Sequence, residues 1–293
     1  MAKEISYITG FNVKPVSISS SGIVTFTDGT NEITPNQLQC EAYGYTYNRA
    51  SGICEAYTYH NKINTNIDNS SNNLLGTKNT TEVGVNNTSI IGERNLVRGM
   101  SRNNLIVGDL NEISNGLNNS TVLGVNAKTS AQAEFAIGGG LGSLSDSTDA
   151  ATFVSRRKTS VIELSGVTID NTATNLTVQG GDSFINVENN SIIGYDIYIT
   201  RLELGGSSGT AGNYSYRNIR GAVKINQVGV MSFVVGFSRN IAKVGVNGTC
   251  IMADSTTGGV ASISVNVTDR NNVQNLWSAS VTLHEVVTTT NIV

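Results

Sequence analysis

Two histidines and a few carboxylates are the residues of this chain whose chemistry could support catalysis. His60 and His284 are the only histidines, and no GxSxG or HExxH motif accompanies them. His284 directly precedes Glu285, and neighbouring residues of a strand point to opposite faces, so the two cannot act as a dyad. Asp196 and Glu203 could serve in polysaccharide cleavage, but seven residues apart on one strand they also take opposite faces. We therefore expect no catalytic residues and no enzyme activity.

A duplicated aromatic motif contains two of the three cysteines. The copies, CEAYGYTY from Cys40 and CEAYTYH from Cys54, flank the turn-rich segment NRASG, which predicts a β-hairpin of aromatic strands. Centring the turn on Ala50 gives three facing pairs, Tyr43 with Tyr57, Tyr45 with Glu55 and Cys40 with His60. This register keeps the two cysteines apart, so we expect no disulfide between them. A metal site of Cys40, Cys54 and His60 is the alternative, but no CxxC spacing supports it, and we expect no metal and no cofactor.

Two further short motifs have structural readings that we favour. GGGLG at residues 138–142 is similar to part of a phosphate-binding loop but lacks GK[ST], so we interpret it as a turn that ends a repeat. The basic segment RRK, Arg156–Lys158, is interpreted as a solvated face, with an electrostatic cap on the repeat as the alternative.

The composition is typical of a β-rich globular protein. Of 293 residues, 39% are hydrophobic and only 14% are charged, with 31 glycines and 2 prolines. Such a composition favours short strands joined by Gly and Asn turns. Abundant aliphatic residues and a net charge of −3 exclude a disordered chain and argue against nucleic acid as a partner.

The sequence contains no recognisable targeting or membrane segment. No apolar stretch approaches the roughly 18 residues of a membrane span, so we expect no membrane insertion. The N-terminal segment MAKEISYITGFNV has no long apolar region, so we expect no secretory signal. Three cysteines, with Cys250 as the third, form no disulfide framework and predict a protein made and kept in a reducing cytoplasm.

Glycines recur at a fixed spacing within residues 61–140. Steps of sixteen residues separate the first four, and a step of fourteen leads to Gly138; the first four are Gly76, Gly92, Gly108 and Gly124. We interpret these four as turn residues of a coiled shaft, since glycine adopts left-handed conformations at little cost. An asparagine follows three residues after each of the first three, and weaker glycine marks divide each unit into two halves of about eight residues.

An aliphatic pair precedes each repeat glycine and supplies the layers of the shaft core. A coil of sixteen residues with short side chains buries little apolar surface alone, so stacking and association are both needed. We therefore expect a homotrimer with these side chains at its centre: Leu75, Ile91, Val107, Leu123 and Ile137.

The remaining sequence divides into an N-terminal region, a neck and a C-terminal domain. Residues 1–60 contain a strand from Ile23 to Thr27 that ends in an Asp-Gly turn, and residues 141–160 form a neck or linker. Residues 161–293 contain eight predicted strands, typical of an antiparallel sandwich or jelly roll; these are Val161–Leu164, Asn175–Val178, Tyr195–Leu204, Arg220–Ile225, Met231–Phe237, Thr249–Ala253, Ala261–Val267 and Leu276–Val286. Alternation along the last strand places Trp277 in the core.

The repeat resembles the left-handed parallel β-roll, or triple β-helix, of trimeric adhesin heads and bacteriophage fibres. The residues that carry the resemblance are NNLLGTKNTTEVGVNNTSIIGERN, and the phage reading needs no secretory signal or membrane anchor. IRGAVKIN and WSASVTLHEV resemble the C-terminal β-sandwich of phage fibres, which implies a trimeric knob. The CEAYGYTYNRASGICEAYTY segment is similar to virion proteins of phages that infect Bacteroidetes, including crAss-like phages.

These resemblances imply an all-β, homotrimeric virion fibre that binds and does not catalyse. Residues 1–60 would attach it to capsid or tail proteins, and we expect a capsid-attached head fibre, with a tail fibre as the alternative. Exposed aromatic residues would contact a host-surface glycan, with Tyr214 and Tyr216 as candidates and alternate-strand packing as their rival role. A capsid decoration protein without a receptor and a polysaccharide depolymerase remain as hypotheses of other classes.

Overall fold

The computed structural model describes residues 12–19, 21–56, 71–140, 155–289 and 291–292. Strands make up most of these residues, and the single helix among them has six residues, which confirms the predicted all-β class. No helix in the described ranges has the length and apolar character of a membrane span. The chain divides into two compact units, Met1–Thr65 and Asn66–Val293.

The first unit is a small sheet with a helix and a hairpin. An antiparallel sheet in the order β1-β2-β3 comes first, and a helix and a two-stranded hairpin follow. Their bounds are β1 (Lys14–Ile18), β2 (Val24–Thr27), β3 (Glu32–Ile33), α1 (Gln37–Ala42), β4 (Thr46–Asn48) and β5 (Ile53–Glu55). The predicted Asp-Gly turn joins β2 to β3, with Asp28 Oδ1 accepting bonds from two backbone N–H groups at 2.8 Å. Phe26 is fully buried, and Tyr43 and Tyr45 pack edge-on against its ring.

The prediction that Cys40 and Cys54 do not pair is wrong. Cys40 lies in α1, whose N-terminus is closed by a reciprocal Asn36–Gln39 capping box. The hairpin is also one residue out of the predicted register, because Tyr47 and not Thr46 faces Cys54. The helix folds Cys40 back over β5, and the two cysteines form a disulfide with 5.7 Å between their Cα atoms. Tyr57 and His60, the other predicted partners, lie outside the described residues.

The repeat forms a β-solenoid of about four turns with roughly 16-residue repeats. The first three turns each contribute one strand to each of two parallel sheets, which explains the predicted half-period, and the later turn continues only one of them. One sheet contains β6 (Asn73–Leu75), β8 (Ser89–Glu93), β10 (Leu105–Asp109), β12 (Thr121–Val125) and β13 (Phe135–Gly139), and the other contains β7 (Thr80–Thr81), β9 (Leu96–Val97) and β11 (Glu112–Ile113). Equivalent residues stack in register, so that Ile106 pairs with Ile90 below it and Val122 above it.

The expectation that the shaft core needs several chains is wrong, because the single chain closes its own solenoid core, into which only one member of each aliphatic pair points. Successive residues of a strand alternate between faces, so one member enters the solenoid and its neighbour points outward. The inward members Ile90, Ile106, Val122 and Ala136 are fully buried. They pack in a cluster that includes Val97 and Ile113 of the opposite sheet.

Asparagine three residues after each glycine forms a ladder along the solenoid. Asn95 is 1% exposed and donates from Nδ2 to the Gly108 carbonyl of the next turn at 2.7 Å. Its Oδ1 accepts a bond from the backbone N–H of Asn111 at 3.0 Å. Asn79 and Asn111 repeat this pattern one turn away on either side. The ladder satisfies buried backbone groups where the chain leaves each strand.

The repeat glycines lie near the ends of strands and permit close contact between turns. Gly92 and Gly108 have φ values of 135° and 141°, and both lie inside strands rather than in the turns that we predicted. A Cβ on Gly92 would collide with the carbonyl of Gly108, and a Cβ on Gly108 with that of Gly124. Glycine is therefore required by both conformation and space.

The C-terminal domain continues the solenoid sheet. β13 pairs antiparallel with β14, and the sheet runs on in the order β14-β23-β18-β19-β20, with β16 beside β14. A second sheet has the order β15-β22-β17, with β21 beside β22. Bounds are β14 (Ser155–Thr168), β15 (Thr174–Asn175), β16 (Thr177–Val178), β17 (Ile185–Asn186), β18 (Ser191–Gly205), β19 (Tyr214–Ile225), β20 (Met231–Val244), β21 (Thr249–Asp254), β22 (Ser262–Thr268) and β23 (Gln274–Thr288). Each of the eight predicted strands overlaps one or more of these strands.

The core of this domain lies between the two sheets. Inward residues of β14, β18, β19 and β23 form one buried cluster with those of β21 and β22. Trp277 belongs to it, is 4% exposed and donates from Nε1 to Thr168 Oγ1 at 2.9 Å. The predicted role of Trp277 as a core residue is confirmed.

The basic segment is part of a strand and is mostly buried. Residues 155–160, expected in the neck, begin β14, and residues 141–154 lie outside the described residues. Arg156 and Lys158 are 3% and 7% exposed, whereas Arg157 is exposed. The interpretation as a solvated face is therefore wrong for these two residues. Their long side chains point inward, where carboxylates of the last solenoid turns lie.

A buried ionic cluster joins the solenoid to the C-terminal domain. Lys158 Nζ lies 2.9 Å from Glu134 of the solenoid and 3.3 Å from Glu285 of β23. Arg156 contacts Glu112 at 3.4 Å and Glu188 at 3.2 Å. We call these six residues the junction cluster. The cluster agrees with the alternative interpretation of the basic segment, an electrostatic cap on the repeat.

Candidate functional site

The outward aliphatic residues of the solenoid form a regular apolar stripe. Leu75, Ile91, Val107 and Ile137 are between 36% and 51% exposed, and Leu123 is half-buried. Each pairs directly with the next across the parallel sheet, a separation of about 4.8 Å. We call these five residues the aliphatic ladder.

The ladder side chains carry no hydrogen-bonding or ionisable groups, so they can contribute apolar contacts but no catalysis. Leu105 and Phe135 lie on the same face beside it and are also partly exposed. One aliphatic side chain per turn gives a straight apolar edge along one side of the solenoid. Contiguous exposed apolar surface of this kind marks interaction sites in soluble proteins.

The edge strand β20 is a second apolar surface that the chain leaves uncovered. It pairs with β19 on one side, and along its length Val234, Phe237, Ile241 and Val244 are 43% to 67% exposed. A long apolar edge strand is a template for pairing with another chain, and natural proteins usually cover it. The described part of the chain thus carries two separate surfaces with exposed apolar side chains.

His284 lies beside the ladder, and its side chain forms a hydrogen bond with a threonine. Ile137 pairs with Thr159, which pairs with His284, and the Thr159 hydroxyl lies 3.2 Å from His284 Nδ1. Glu285 points to the opposite face into the junction cluster, as the strand alternation predicted. There burial raises the pKa of the Glu285 carboxyl, against the opposing charge of Lys158.

A tyrosine patch occupies the outward face of the C-terminal sheet. Tyr216 of β19 stacks on Tyr198 of β18, with ring centroids 5.9 Å apart and planes at 28°. Tyr214 lies two residues away on the same face and is 41% exposed. Next to them, Arg220 Nε contacts Asp196 at 2.9 Å. Tyr214 and Tyr216 are thus neighbours on one face, with a third tyrosine that sequence reasoning did not single out.

The carboxylates considered for polysaccharide cleavage lie on opposite faces of β18. Asp196 points outward to Arg220, whereas Glu203 is 1% exposed in the interior. Glu203 accepts bonds from Arg270 and from the Thr210 backbone N–H. Burial acts to raise its pKa, but these hydrogen bonds and nearby guanidinium charges outweigh burial and lower it.

Sequence reasoning missed the buried ionic cluster around Glu203. Arg201 is fully buried and pairs with Asp269, while Arg270 lies 3.0 Å from Glu203. Alternation along β18 indicates that residues 201 and 203 share a face with Ile197 and Ile199, and a charged residue in that pattern is the available signal. The cluster closes the end of the sandwich.

Comparisons with known proteins give structural likeness only. No protein-family model matches the chain, and no curated protein matches it. A tailspike of Acinetobacter baumannii phage AM24 matches with 7% identity and a TM-score of 0.24, over 75% of this chain and 49% of that one. A tailspike of A. baumannii bacteriophage Fri1, described as a capsular polysaccharide depolymerase, matches with 9% identity and a TM-score of 0.21, over 72% and 46%.

The chain spans about half the length of these tailspikes. Identities below 10% and TM-scores below 0.25 assign it to no family and to no activity.

Proposed function

We propose that the chain is the subunit of a trimeric bacteriophage virion fibre that adheres to the host surface. The aliphatic ladder is the observation that carries the proposal. Its side chains repeat once per turn and point away from the interior of the single chain. The resemblance of the repeat to phage-fibre β-rolls supports the same conclusion.

Association around a threefold axis gives the ladder a buried environment. Burial of apolar surface contributes about 25 cal/mol per Å², and five stacked side chains from each of three chains would form a continuous central core. Cyclic trimers use heterologous contacts between two different patches of the subunit. In this arrangement the two patches would be the two flanks of the ladder, one in contact with each partner chain.

The parts of the chain would divide the work of a fibre. Residues 1–60 attach to the virion, the solenoid acts as a short shaft, and the C-terminal sandwich is the outward knob. Three weak knob contacts per fibre, multiplied over many fibres, can hold a particle to a cell through avidity. We favour attachment to the capsid as a head fibre, because the solenoid shaft is short.

The mass of the purified chain in solution tests the trimer. Light scattering is expected to give three times the chain mass of 30.9 kDa. The double variant Ile91→Asp/Val107→Asp should lower the mass toward one chain, since two charges per subunit would face the axis. The matched control Ile251→Asp alters an aliphatic of 52% exposure on another strand and should leave the mass unchanged. A single-chain mass for the native protein at micromolar concentration would refute the proposal.

Three alternatives make different predictions. A tail fibre would be found at the tail when residues 1–60 are located by antibody labelling of intact particles. A capsid decoration protein without a receptor would leave deletion mutants adsorbing normally but with less stable particles. A depolymerase would release reducing sugar ends from capsular polysaccharide, and that release would also contradict the expectation that the chain is not an enzyme.

A further inference from the structure

A groove of about 590 Å³ opens on the outward face of the C-terminal sheet. Its floor crosses β14, β23 and β18, and one wall is formed by Thr177 of β16 and by Gly180, which follows that strand. The volume falls within the roughly 300–1,000 Å³ of typical small-molecule sites. None of its lining residues belongs to the aliphatic ladder or to the junction cluster.

The groove combines an apolar floor with a border of hydroxyl groups. Val167, Leu202 and Leu276 lie in one row across the three strands and are 41% to 51% exposed. The adjacent row contains Ser165, Ser278 and Thr200. Within the described chain, no side-chain hydrogen bond engages the hydroxyls of Ser278 or Thr200. No charged side chain is among the lining residues.

The tyrosine patch borders the groove on the next strand. Register places Tyr216 directly opposite Thr200 and Tyr214 opposite Leu202, where side chains of neighbouring strands lie about 5 Å apart. Tyrosine presents an apolar ring face and a polar hydroxyl tip. The stack of Tyr216 on Tyr198 holds its ring in place.

We propose that this groove binds a neutral oligosaccharide. A pyranose ring has an apolar face of C–H groups and a rim of hydroxyls, and the groove offers both an apolar floor and free hydroxyl donors and acceptors. A fatty acyl chain would leave those hydroxyls without partners, and an acidic glycan would find no cation in the lining. The proposal names a ligand class for the adhesive role proposed above and rests on it.

The groove and the proposed trimer axis lie at different places on the sheet. The row of the aliphatic ladder reaches β23 at His284, and the floor of the groove crosses β23 at Leu276, eight residues along the strand. At about 3.4 Å per residue the two are roughly 27 Å apart. At this separation, packing of the ladders at a threefold axis does not itself cover the groove.

Binding to defined oligosaccharides tests the proposal. The full-length protein is titrated by calorimetry with neutral hexose oligomers of several linkages, with uronic-acid oligomers and with a fatty acid. At least one neutral oligomer is expected to bind. Leu202→Asp should weaken that binding at least about tenfold, because a carboxylate would be placed under the sugar face. Tyr216→Ala should weaken it by a similar factor.

Ile192→Asp is the matched control for these variants. Ile192 lies on the same strand and face as Leu202, with 50% exposure, but outside the groove, so Ile192→Asp should bind as the native protein does. Circular dichroism of each variant excludes unfolding as the cause of lost binding. Thr200→Val keeps the shape of the side chain and removes its hydroxyl, and it should weaken binding by a smaller factor than Leu202→Asp does.

Each of the other outcomes overturns the proposal in a recognisable way. Binding of the fatty acid or of acidic oligomers alone would assign the groove to another ligand class. A lower solution mass for Leu202→Asp would show that a second copy of the chain covers the groove. A trimeric mass with no binding to any neutral oligomer would refute the oligosaccharide-binding proposal without affecting the trimeric-fibre proposal. A monomeric protein that binds a neutral oligomer through the groove would refute only the trimeric-fibre proposal.

Discussion

Replacement of Lys158 by methionine tests whether the junction cluster holds the solenoid and the C-terminal domain together. The Lys158 side chain is 4% exposed, and its partners Glu134 and Glu285 are 0% and 6% exposed. The ammonium also donates to the Lys128 carbonyl at 2.7 Å and to the Ser130 hydroxyl. Burial disfavours the charged ammonium, but the two carboxylates outweigh it and raise the pKa of Lys158.

The expected loss is large because the substitution leaves two carboxylates buried without their cation. At 2.9 and 3.3 Å, each ion pair is attractive by about 5–6 kcal/mol at an effective dielectric constant of about 20, and desolvation offsets much of this. Breaking a buried pair by removing one partner costs about 3–5 kcal/mol. We expect Lys158→Met to lower the free energy of unfolding by about that amount.

Urea unfolding followed by tryptophan fluorescence measures this loss. Trp277 is the only tryptophan and lies in the C-terminal core, so its emission reports on the domain that β14 joins. Arg94→Met is the matched control, because the pair of Arg94 with Asp109 lies at the solenoid surface with side chains 28% and 29% exposed. Its removal should cost only a small fraction of the Lys158→Met loss.

The pH dependence gives a second test of the same reasoning. Without the ammonium, burial should raise the pKa of the Glu285 carboxyl still further above its unfolded value. An acid with a raised folded pKa binds protons more tightly when folded, so its destabilisation is present above that pKa and disappears as the pH falls through it. The Lys158→Met loss should therefore be smaller at pH 5 than at pH 8. A loss below about 1 kcal/mol, or one independent of pH, would show that the cluster is hydrated and would refute the argument.

Three other features give shorter tests. Cys40→Ser should destabilise the N-terminal unit by about 3 kcal/mol, since Cys54 closes a loop of 14 residues; proteolysis of this unit with and without reductant measures it, and equal cleavage rates would contradict it. Gly108→Ala should unfold the solenoid at lower temperature by circular dichroism, because the added methyl group meets the Gly124 carbonyl and φ is positive, and an unchanged melting temperature would refute the close contact. Glu203→Gln should lower stability at pH 7 and less at low pH, because a lowered folded pKa gives stability that is lost as the pH falls through it; parallel pH profiles for the two proteins would rule this out.

Local periodicity made the solenoid and the sandwich strands predictable. The spacing of Gly92 and Gly108 reports directly on one turn of chain, and a strand such as β23 shows its buried face by strict alternation. The sequence was less informative about which aliphatic residue of each pair faces the solenoid interior. Sequence alone did not separate the inward Ile90 from the outward Ile91, because that depends on how the strand is turned toward the opposite sheet.

The errors arose where short elements or distant partners decide the structure. CEAYGYTY looks like an aromatic strand, but Asn36 and Gln39 cap a short helix there, and the helix brings Cys40 to Cys54. Arg156 and Lys158 looked solvated because their carboxylate partners lie 24 to 127 residues away along the chain, at positions no local pattern marks. The groove beside Tyr216 also depends on non-local pairing of β14, β23 and β18.

The pairing of β13 with β14 makes one uninterrupted hydrogen-bonded sheet from the first solenoid turn to β20. Such a connection has no hinge along the sheet, so bending between shaft and tip would have to break backbone hydrogen bonds. A mechanical load on the tip would reach the shaft through this strand pair. If the chain is the fibre subunit proposed above, the C-terminal sandwich would therefore keep a fixed orientation relative to the solenoid.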